Sequence, residues 1–276
     1  MVKLKSKATR GVLNAKTRER KFTHARFQPS LELQAFIEYY WVVKWDLRGV
    51  KPYVAETLPF PSVHIVIEKG QAKVHGVVTG KFSRRLQGKG RAFGIKFRPG
   101  MFHPFYGASM SSLTDRVVDL ESIFGRAGFE LKQAILEEIH DRRYVKRADS
   151  FLRERIPKAK VAILEVRDAV EKVAEDRGIV RAEQVASIMG ISLRPLQRKF
   201  SKYVGVSPKW VIQRYRLHEA AEALAKDEIQ NLTELSLRLG YFDQAHFIRD
   251  FKSVVGATPG AYSKTSKPSQ RTIPAA

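Results

Sequence analysis

Two stretches of the sequence place arginine, glutamine, histidine and lysine at helical spacing beside pairs of apolar residues. The first, residues 181–208, reads RAEQVASIMGISLRPLQRKFSKYVGVSP, and the second, residues 232–259, reads LTELSLRLGYFDQAHFIRDFKSVVGATP. Arginine and glutamine can bind base edges bidentately, and basic side chains neutralise phosphates. These residue types therefore indicate contacts to nucleic acid.

The candidate DNA-binding residues occupy the outward face of the second predicted helix in each stretch. They are Arg194, Gln197, Arg198 and Lys202 in the first stretch, and Gln244, His246, Arg249 and Lys252 in the second. The opposite face of each helix carries two apolar residues four positions apart, which are Leu196 with Phe200 and Phe247 with Phe251. This spacing predicts that one face is buried while the other is available to DNA.

A glycine precedes each of these helices and predicts a tight turn. Gly190 and Gly240 can adopt a positive φ, which ends one helix and begins the turn to the next. Ser192 and Asp243 are the expected N-caps of the second helices, and Thr233 is expected to help to cap the helix before Gly240. Two short helices joined in this way form a helix-turn-helix, whose second helix can lie in a major groove.

The same spacing closes both stretches. The pattern F-x4-G-x2-P is formed by Phe200, Gly205 and Pro208 in the first and by Phe251, Gly256 and Pro259 in the second. One helical hairpin is a weak signal because many folds contain such a pair. The internal repeat makes the prediction of two helix-turn-helix units strong.

Residues of about 161–264 resemble the C-terminal DNA-binding domain of the AraC/XylS family of bacterial transcription regulators. The similarity is carried by ISLRPLQRKFSKYVGVSP, RYRLHEAAEAL and GYFDQAHFIRDFKSVVGATPGAY. The resemblance implies a rigid linker helix, beginning at Ser207–Pro208 and ending at Lys226–Asp227. Its two recognition helices would enter consecutive major grooves about 34 Å apart. For Arg214 and Arg216 of this linker helix, a DNA contact and a buried salt bridge remain alternatives.

The resemblance also implies roles by position. The implied base-reading residues are Arg194, Gln197 and Arg198 in the first unit and Gln244 and Arg249 in the second, with His246 near the DNA backbone. Ala245 and Ile248 depart from the family, in which polar residues are common at those positions, and Ser236 replaces the usual alanine. We therefore expect the second unit to contribute phosphate contacts more than base reading.

The function implied by this resemblance is that of a sequence-specific DNA-binding transcription regulator in the bacterial cytoplasm. An activator is the expected type, although the sequence leaves activation and repression open. Double-stranded DNA is the main expected partner. RNA polymerase, a small-molecule effector of unknown identity and a second copy of the chain are further expected partners. No enzymatic activity and no cofactor are expected.

The segment before this region alternates strand-like runs with turn residues between positions 27 and 125, which is typical of antiparallel sheets. Within it, apolar residues at positions 31–40 have helical spacing, so a helix is predicted before a strand at Trp41–Trp45. The segment resembles a β-rich domain that often precedes AraC-type DNA-binding domains, through FIEYYWVVKWD, AFGIKFRPGMFHPFYG and LTDRVVDLESIFG. The candidate effector-binding residues are Trp41, Trp45, Tyr53 and Arg98, with ordinary core packing as the alternative for the aromatic ones.

The predicted fold class is α+β: a β-rich N-terminal domain with flanking helices, followed by an all-α domain of two helix-turn-helix units and a linker helix. We expect five segments along the chain. They are a basic disordered tail at 1–26, a β-rich sensory or oligomerisation domain at 27–128, a helical bridge at 129–160, the DNA-binding domain at 161–264 and a disordered tail at 265–276.

Composition supports a polyanionic partner. The formal net charge is +22 and the isoelectric point is about 10.2, which favours nucleic acid before an anionic membrane. The absence of cysteine excludes disulfides, thiolate metal sites and cysteine nucleophiles. No apolar run reaches the length of about 18 residues that a membrane-spanning helix needs, and no secretion signal is evident, so no membrane partner is expected.

Two other function classes remain open from the sequence. The N-terminal domain could be a small-molecule enzyme or ligand-binding protein with autoregulatory DNA binding, although no catalytic constellation is evident in it. The chain could also coat nucleic acid through charge alone. A metal site is not expected, because His24, His64, His75 and His103 show no His-x-His spacing that would hold two ligands on one strand.

Overall fold

The computed structural model of the protein describes residues 22–226, 228–229 and 231–266. In these residues a β-rich N-terminal part is followed by an all-helical C-terminal part, so the predicted α+β class is confirmed. Most of the two expected disordered tails, namely residues 1–21 and 267–276, lies outside the described residues, as does Asp227 at the expected end of the linker helix.

The N-terminal part is built from antiparallel strands. They are β1 Phe22–Phe27, β2 Ile37–Leu47, β3 Tyr53–Thr57, β4 His64–Glu68, β5 Gln71–His75, β6 Phe82–Leu86, β7 Gly88–Phe97 and β8 Val117–Asp119. Six of these strands form one sheet in the order β1-β2-β7-β4-β5-β8, and β3 pairs with β6 in a separate ribbon. The short helices α1 (His103–Tyr106) and α2 (Leu120–Phe124) follow β7 and β8.

Alternating side chains divide the six-stranded sheet into two faces. Tyr40 and Val42 of β2 are buried on the face that packs against helices α3 (Arg126–Leu136) and α4 (Asp141–Arg153). Asp149 of α4 accepts hydrogen bonds from the Tyr40 hydroxyl at 3.1 Å and the Ser30 amide at 2.9 Å. The two helices of the expected bridge therefore pack on the N-terminal sheet.

Two predictions for this region are wrong. The helix predicted at residues 31–40 is only a 3-10 turn at Leu31–Leu33, after which the chain enters β2 at Ile37. The basic tail does not extend to residue 26, because Phe22–Phe27 form β1 and pair with β2. Aromatic and β-branched residues pack well in a paired strand, and this packing outweighs the local helical spacing.

The C-terminal part consists of helices α5 to α11. They are α5 Val161–Glu175, α6 Ala182–Ile188, α7 Leu193–Tyr203, α8 Pro208–Ala225, α9 Leu232–Arg238, α10 Gln244–Val255 and α11 Pro259–Ser266. Two clusters of buried apolar residues support them. One cluster runs continuously from the N-terminal sheet to α7 and the start of α8, and the other joins α8, α9, α10 and α11 and includes Leu58 from the N-terminal part.

Candidate nucleic-acid interface

Two pairs of short helices have the predicted helix-turn-helix arrangement. Helices α6 and α7 are joined through Gly190 at φ 63°, and helices α9 and α10 through Gly240 at φ 83°. Both glycines adopt the left-handed conformation that other residues rarely tolerate. The turn chemistry predicted from the sequence is therefore present in both units.

The helix caps agree with the prediction in part. The Asp243 carboxylate accepts a hydrogen bond from the His246 amide at 2.6 Å, which confirms it as the N-cap of α10. Ser192 occupies the N-cap position of α7 without a capping hydrogen bond from its side chain. Thr233 does not cap α9. That role belongs to Asn231, whose side chain accepts from the Thr233 amide at 2.9 Å.

The inward faces of α7 and α10 are buried as predicted. Leu196 and Phe200 of α7 are fully buried, and so are Phe247 and Phe251 of α10. The two phenylalanine rings of α10 have centroids 5.7 Å apart and meet edge to face, a geometry that stabilises aromatic pairs. The side chains that could contact DNA are thus turned outward by burial of the opposite face.

The candidate DNA-binding residues differ in exposure between the two units. Those of α7 are all exposed, namely Arg194, Gln197, Arg198 and Lys202. In α10, Arg249 and Lys252 are exposed, whereas Gln244 and His246 are half-buried. The Thr233 hydroxyl donates to Oε1 of Gln244 at 2.7 Å, and the His246 ring meets Tyr241 edge to face at 5.2 Å. The second unit therefore presents fewer free polar groups.

The linker helix α8 connects the two units and spans 18 residues. At a rise of 1.5 Å per residue it is about 27 Å long. It begins at the Ser207 N-cap, whose hydroxyl accepts from the Trp210 amide at 3.2 Å, and at Pro208, which tolerates the first helical turn. The expected start of the linker at Ser207–Pro208 is confirmed.

Arg216 is a buried brace between the linker helix and α5. The side chain is 1% exposed, and its guanidinium donates to the carbonyl oxygens of Val173 and Asp176 at the end of α5. It also forms an ion pair with Glu219 at 2.9 Å. Of the two alternatives for this residue, the structure has the buried salt bridge.

Arg214 links the same helix to the N-terminal part. Its guanidinium donates to the carbonyl oxygen of Thr79 and lies 4.6 Å from the Trp210 ring. Burial lowers the pKa of Arg214 to about 10, because the charged form loses its hydration. This residue therefore contacts the N-terminal part and is not available on the surface.

The loop after β3 also contacts the linker helix and the second unit. The Phe60 ring stacks on His218 of α8, with centroids 4.1 Å apart and planes 12° apart. The His218 Nε2 atom lies 3.3 Å from the Pro59 carbonyl oxygen. Leu58 is 2% exposed and belongs to the apolar core of the second unit. One short segment of the N-terminal part thus completes the packing of this unit.

A cavity of about 330 Å³ lies on the other side of that segment. Its floor is the second face of the six-stranded sheet, and the β3–β6 ribbon with the loop at Leu58–Phe60 encloses it. Trp41, Trp45 and Tyr53 line it, so three of the four candidate effector-binding residues lie together.

Glycines opposite the two tryptophans shape the cavity floor. Gly94 and Gly90 of β7 pair with Trp41 and Trp45 of β2. A Cβ at these glycines would lie 2.0 and 2.3 Å from indole carbon atoms. Because no side chain intervenes, the indoles lie directly against the β7 backbone and leave a flat aromatic floor.

Arg98 does not line this cavity, which corrects the fourth candidate. Its guanidinium donates to the Gln34 carbonyl oxygen at 2.7 Å and to Glu171 of α5 at 2.6 Å. The residue joins the N-terminal part to the first helix of the C-terminal part. Its partner lies far away in the sequence, so local pattern could not reveal this role.

One end of the cavity is cationic. Lys96 is 3% exposed and pairs with Glu38 at 2.8 Å. Arg26 lies 4.4 Å from the Tyr39 ring, and among the described residues no carboxylate lies within ion-pair distance of it. Its buried Nε has no hydrogen-bond partner among those residues. Burial, reinforced by Lys96, lowers the pKa of His64 to about 3, so this imidazole is neutral at pH 7.

Sequence reasoning missed Arg26, Lys96 and His64 as cavity residues. Arg26 lies on β1, Lys96 on β7 and His64 on β4, and only strand pairing brings these residues beside the tryptophans of β2. The alternation of side chains along β2 alone could not reveal them. Sequence reasoning also missed Phe242, which directly precedes the N-cap of α10 and is 90% exposed.

No helix in the described part of the chain is long and apolar enough to cross a membrane.

Comparisons with known protein families match both parts of the chain. Residues 25–119 match a family described as a domain of unknown function, DUF6597. Residues 185–265 match a family described as a helix-turn-helix domain. The first match covers most of the sheet and of the cavity lining, and the second covers the linker helix, the second helix pair and the first helix pair from residue 185 onward.

Two relatives each match less than a third of this chain. An uncharacterised HTH-type transcriptional regulator of Haemophilus influenzae is 32% identical over 83 residues, which is 30% of this chain and 28% of that protein. The HTH-type transcriptional activator RhaS of an Enterobacter species is 30% identical over 77 residues, which is 28% of this chain and 27% of that protein. The chain thus matches less than a third of the length of these relatives.

Solved structures with similarity include two bacterial proteins. The C-terminal domain of AraT, a response regulator from Geobacillus stearothermophilus, is 27% identical, and the match covers 40% of this chain and 93% of that one with a TM-score of 0.36. ToxT from Vibrio cholerae is 12% identical, and the match covers 89% of this chain and 98% of that one with a TM-score of 0.39.

We predict that Arg216→Met lowers the free energy of unfolding by about 2–4 kcal/mol, because it removes the buried guanidinium from the Val173 carbonyl oxygen and from the Glu219 carboxylate. The matched control is Arg177→Met, since Arg177 lies 4.0 Å from the same Glu219 but its side chain is 74% exposed. This control should change stability by less than about 0.5 kcal/mol. Urea unfolding gives the free energy of unfolding of both variants. Equal losses in the two variants would contradict the role of Arg216 as a buried link between α8 and α5.

Proposed function

We propose that this chain, whose residues 185–265 form a helix-turn-helix domain of the AraC type, is a sequence-specific DNA-binding transcription regulator. The observation that carries the proposal is the duplicated helix pair on one linker helix. Each unit presents an outward face with basic side chains, and the linker is braced by a buried arginine. Such an arrangement suits two recognition helices that enter consecutive major grooves.

The proposed mechanism divides the contacts into two kinds. Arginine and lysine side chains neutralise phosphates, which gives affinity that falls as salt concentration rises. The exposed Arg194, Gln197 and Arg198 of α7 would discriminate bases, and each bidentate contact contributes about 1–3 kcal/mol. In α10, Arg249 is the exposed base-reading candidate, while Lys252 and the half-buried Gln244 and His246 would act at the edge of the groove.

The expected segment boundaries become part of the proposal. Residues 27–128, extended to Phe22 by strand β1, would form the sensory or oligomerisation domain, and residues 161–264 would form the DNA-binding domain. The proposed setting is the bacterial cytoplasm, with double-stranded DNA as the main partner and RNA polymerase and a second copy of the chain as further partners. We propose no catalytic activity, since the relatives are described as HTH-type transcriptional regulators.

An effector would occupy the cavity above the six-stranded sheet. The two indoles favour a flat aromatic ligand, and Arg26 without a carboxylate partner favours an acidic group on it. Leu58 and Phe60 line the cavity and also contact the second unit and the linker helix. A ligand could therefore shift the population of arrangements of the second unit through this segment.

The two alternative functions predict different experimental results. An enzyme in the N-terminal domain would show turnover that survives loss of DNA binding. A coating protein that depends on charge alone would bind all sequences equally, with a steep salt dependence. The repeated helix pair favours the regulator, because charge alone does not require two such faces on one linker.

Arg198→Ala should weaken binding to a preferred DNA site by about 5–150-fold, the equivalent of one bidentate base contact. Binding to random DNA should fall much less, because only general attraction to phosphate is lost. Fluorescence anisotropy with both duplexes measures the two effects. Arg126→Ala is the control, since its side chain is 91% exposed and lies in the N-terminal part. Equal losses on both duplexes would mean that Arg198 contacts phosphate only.

We expect 8-anilinonaphthalene-1-sulfonate, an aromatic anion, to bind the cavity with increased fluorescence. Arg26→Gln should weaken its affinity by about 10–100-fold, because a hydrogen-bonded charge pair is lost. Arg48→Gln is the matched control, since its side chain is 69% exposed and pairs with Asp46. Fluorescence titration gives both affinities. If the two variants bind the probe equally well, Arg26 does not hold the acidic group.

A further inference from the structure

The two recognition helices differ in chemistry at equivalent positions. When Phe200 is aligned with Phe251, Arg194 of α7 corresponds to Ala245 of α10, and Gln197 corresponds to Ile248. Ala245 is exposed, and Ile248 is half-buried against the core of the second unit. Two of the three positions that carry polar base-reading candidates in the first unit are therefore apolar in the second, whereas the third, Arg198, corresponds to Arg249.

Phe242 adds a large apolar group beside this face. It is 90% exposed, more than any other large hydrophobic residue in the described part of the chain. It directly precedes the Asp243 N-cap of α10. A residue at this position often packs back onto the fourth residue of the helix, which here is Phe247, but Phe242 does not do so.

The length of the turn explains why Phe242 points to solvent. In the first unit only Ile191 separates Gly190 from the N-cap Ser192, and Ile191 packs against the core. In the second unit two residues, Tyr241 and Phe242, separate Gly240 from Asp243. The turn of the second unit is thus longer by one residue.

Tyr241 takes the inward place in that longer turn. It is 5% exposed, its ring lies 5.4 Å from that of Phe247, and its hydroxyl donates to Asp250 at 3.2 Å. Because Tyr241 already fills this space, the next residue must turn outward. The exposure of Phe242 follows from the packing of the turn and does not reflect a frayed chain end.

The second unit exposes cations on both of its helices. They are Arg238 at the end of α9 and Arg249 and Lys252 of α10, whereas the exposed acid next to Phe242, Asp243, is engaged as the N-cap of α10. The N-terminal residues of a recognition helix lie closest to the base edges in a major groove. The apolar group that a base offers there is the C5 methyl of thymine, which phenylalanine and alanine side chains contact.

We propose that the second recognition helix reads thymine methyl groups through Phe242 and Ala245. The DNA site is then chemically asymmetric: the half bound by α7 is read through hydrogen bonds, and the half bound by α10 contains contacted thymines. Arg249 supplies the charged contact beside them. The proposal rests on the proposed DNA-binding function, and it replaces the expectation that the second unit contributes phosphate contacts more than base reading.

The first test removes the methyl groups and leaves the base pairs intact. The full chain is titrated with a duplex of its preferred site, and with the same duplex carrying deoxyuridine for thymine in the half bound by α10. We expect the dissociation constant to rise about fourfold for each contacted methyl, the effect of exposing one buried methyl group. Deoxyuridine in flanking sequence should have no effect. An unchanged dissociation constant at a specifically bound site overturns the proposal.

The second test assigns the contact to Phe242. Phe242→Ser should weaken binding to the thymine duplex and reduce the difference between thymine and deoxyuridine. Leu237→Ser is the matched control, because Leu237 is 58% exposed on α9 of the same unit, and it should keep the full difference. If the Phe242→Ser variant still shows the full difference in dissociation constant between the thymine and deoxyuridine duplexes, Phe242 does not contact the methyl groups. Such a result would leave Phe242 as a contact for another protein.

The two tests separate the inference from the function it rests on. Specific binding without sensitivity to deoxyuridine overturns the thymine contact alone. Binding without any preferred sequence overturns the regulator function and the thymine contact together. Because Phe242 is almost fully exposed, its replacement should leave the unfolding midpoint unchanged, and this measurement verifies that the variant is folded.

Discussion

The geometry of the two recognition helices depends on one buried cation, the guanidinium of Arg216. It joins the linker helix to the last turn of α5 through two carbonyl oxygens, and it is neutralised by Glu219 on its own helix. A buried charge is costly unless it is paired and hydrogen-bonded. These three partners offset much of that cost, although the buried Nε has no hydrogen-bond partner among the described residues, so the contact favours this position of α8 relative to α5. Helix α7 directly precedes α8, and α9 and α10 follow its other end, so the length of α8 separates the two units along the chain.

The N-terminal part is joined to this arrangement at more than one point. Arg98 pairs with Glu171 of α5, the Thr114 hydroxyl donates to the Gly205 carbonyl oxygen at 2.7 Å, and Leu58 completes the core of the second unit. The first unit shares a continuous apolar core with the sheet, whereas the second has its own core, to which Leu58 of this segment belongs. The second unit is therefore the one whose position the cavity loop can influence.

Local spacing in the sequence predicted the helix pairs because their burial depends on residues three and four positions apart. Leu196 with Phe200 and the glycine turns are local features of this kind. The role of Arg98 could not be predicted, since its partner Glu171 is distant in sequence. The segment at 31–40 fits both a helix and a strand period, and pairing with β1 and β7 decides between them. The exposure of Phe242 depends on the packing of Tyr241, which no periodicity reveals.

The central claim is that two recognition helices on one rigid linker read DNA together. Selection of sites from a random duplex pool by the full chain, at about 0.15 M salt where general phosphate attraction is reduced, tests this claim most directly. The account predicts enrichment of a bipartite site whose two halves are centred about one helical turn, or 10–10.5 base pairs, apart. Absence of enrichment, or two motifs at variable spacing, would contradict it.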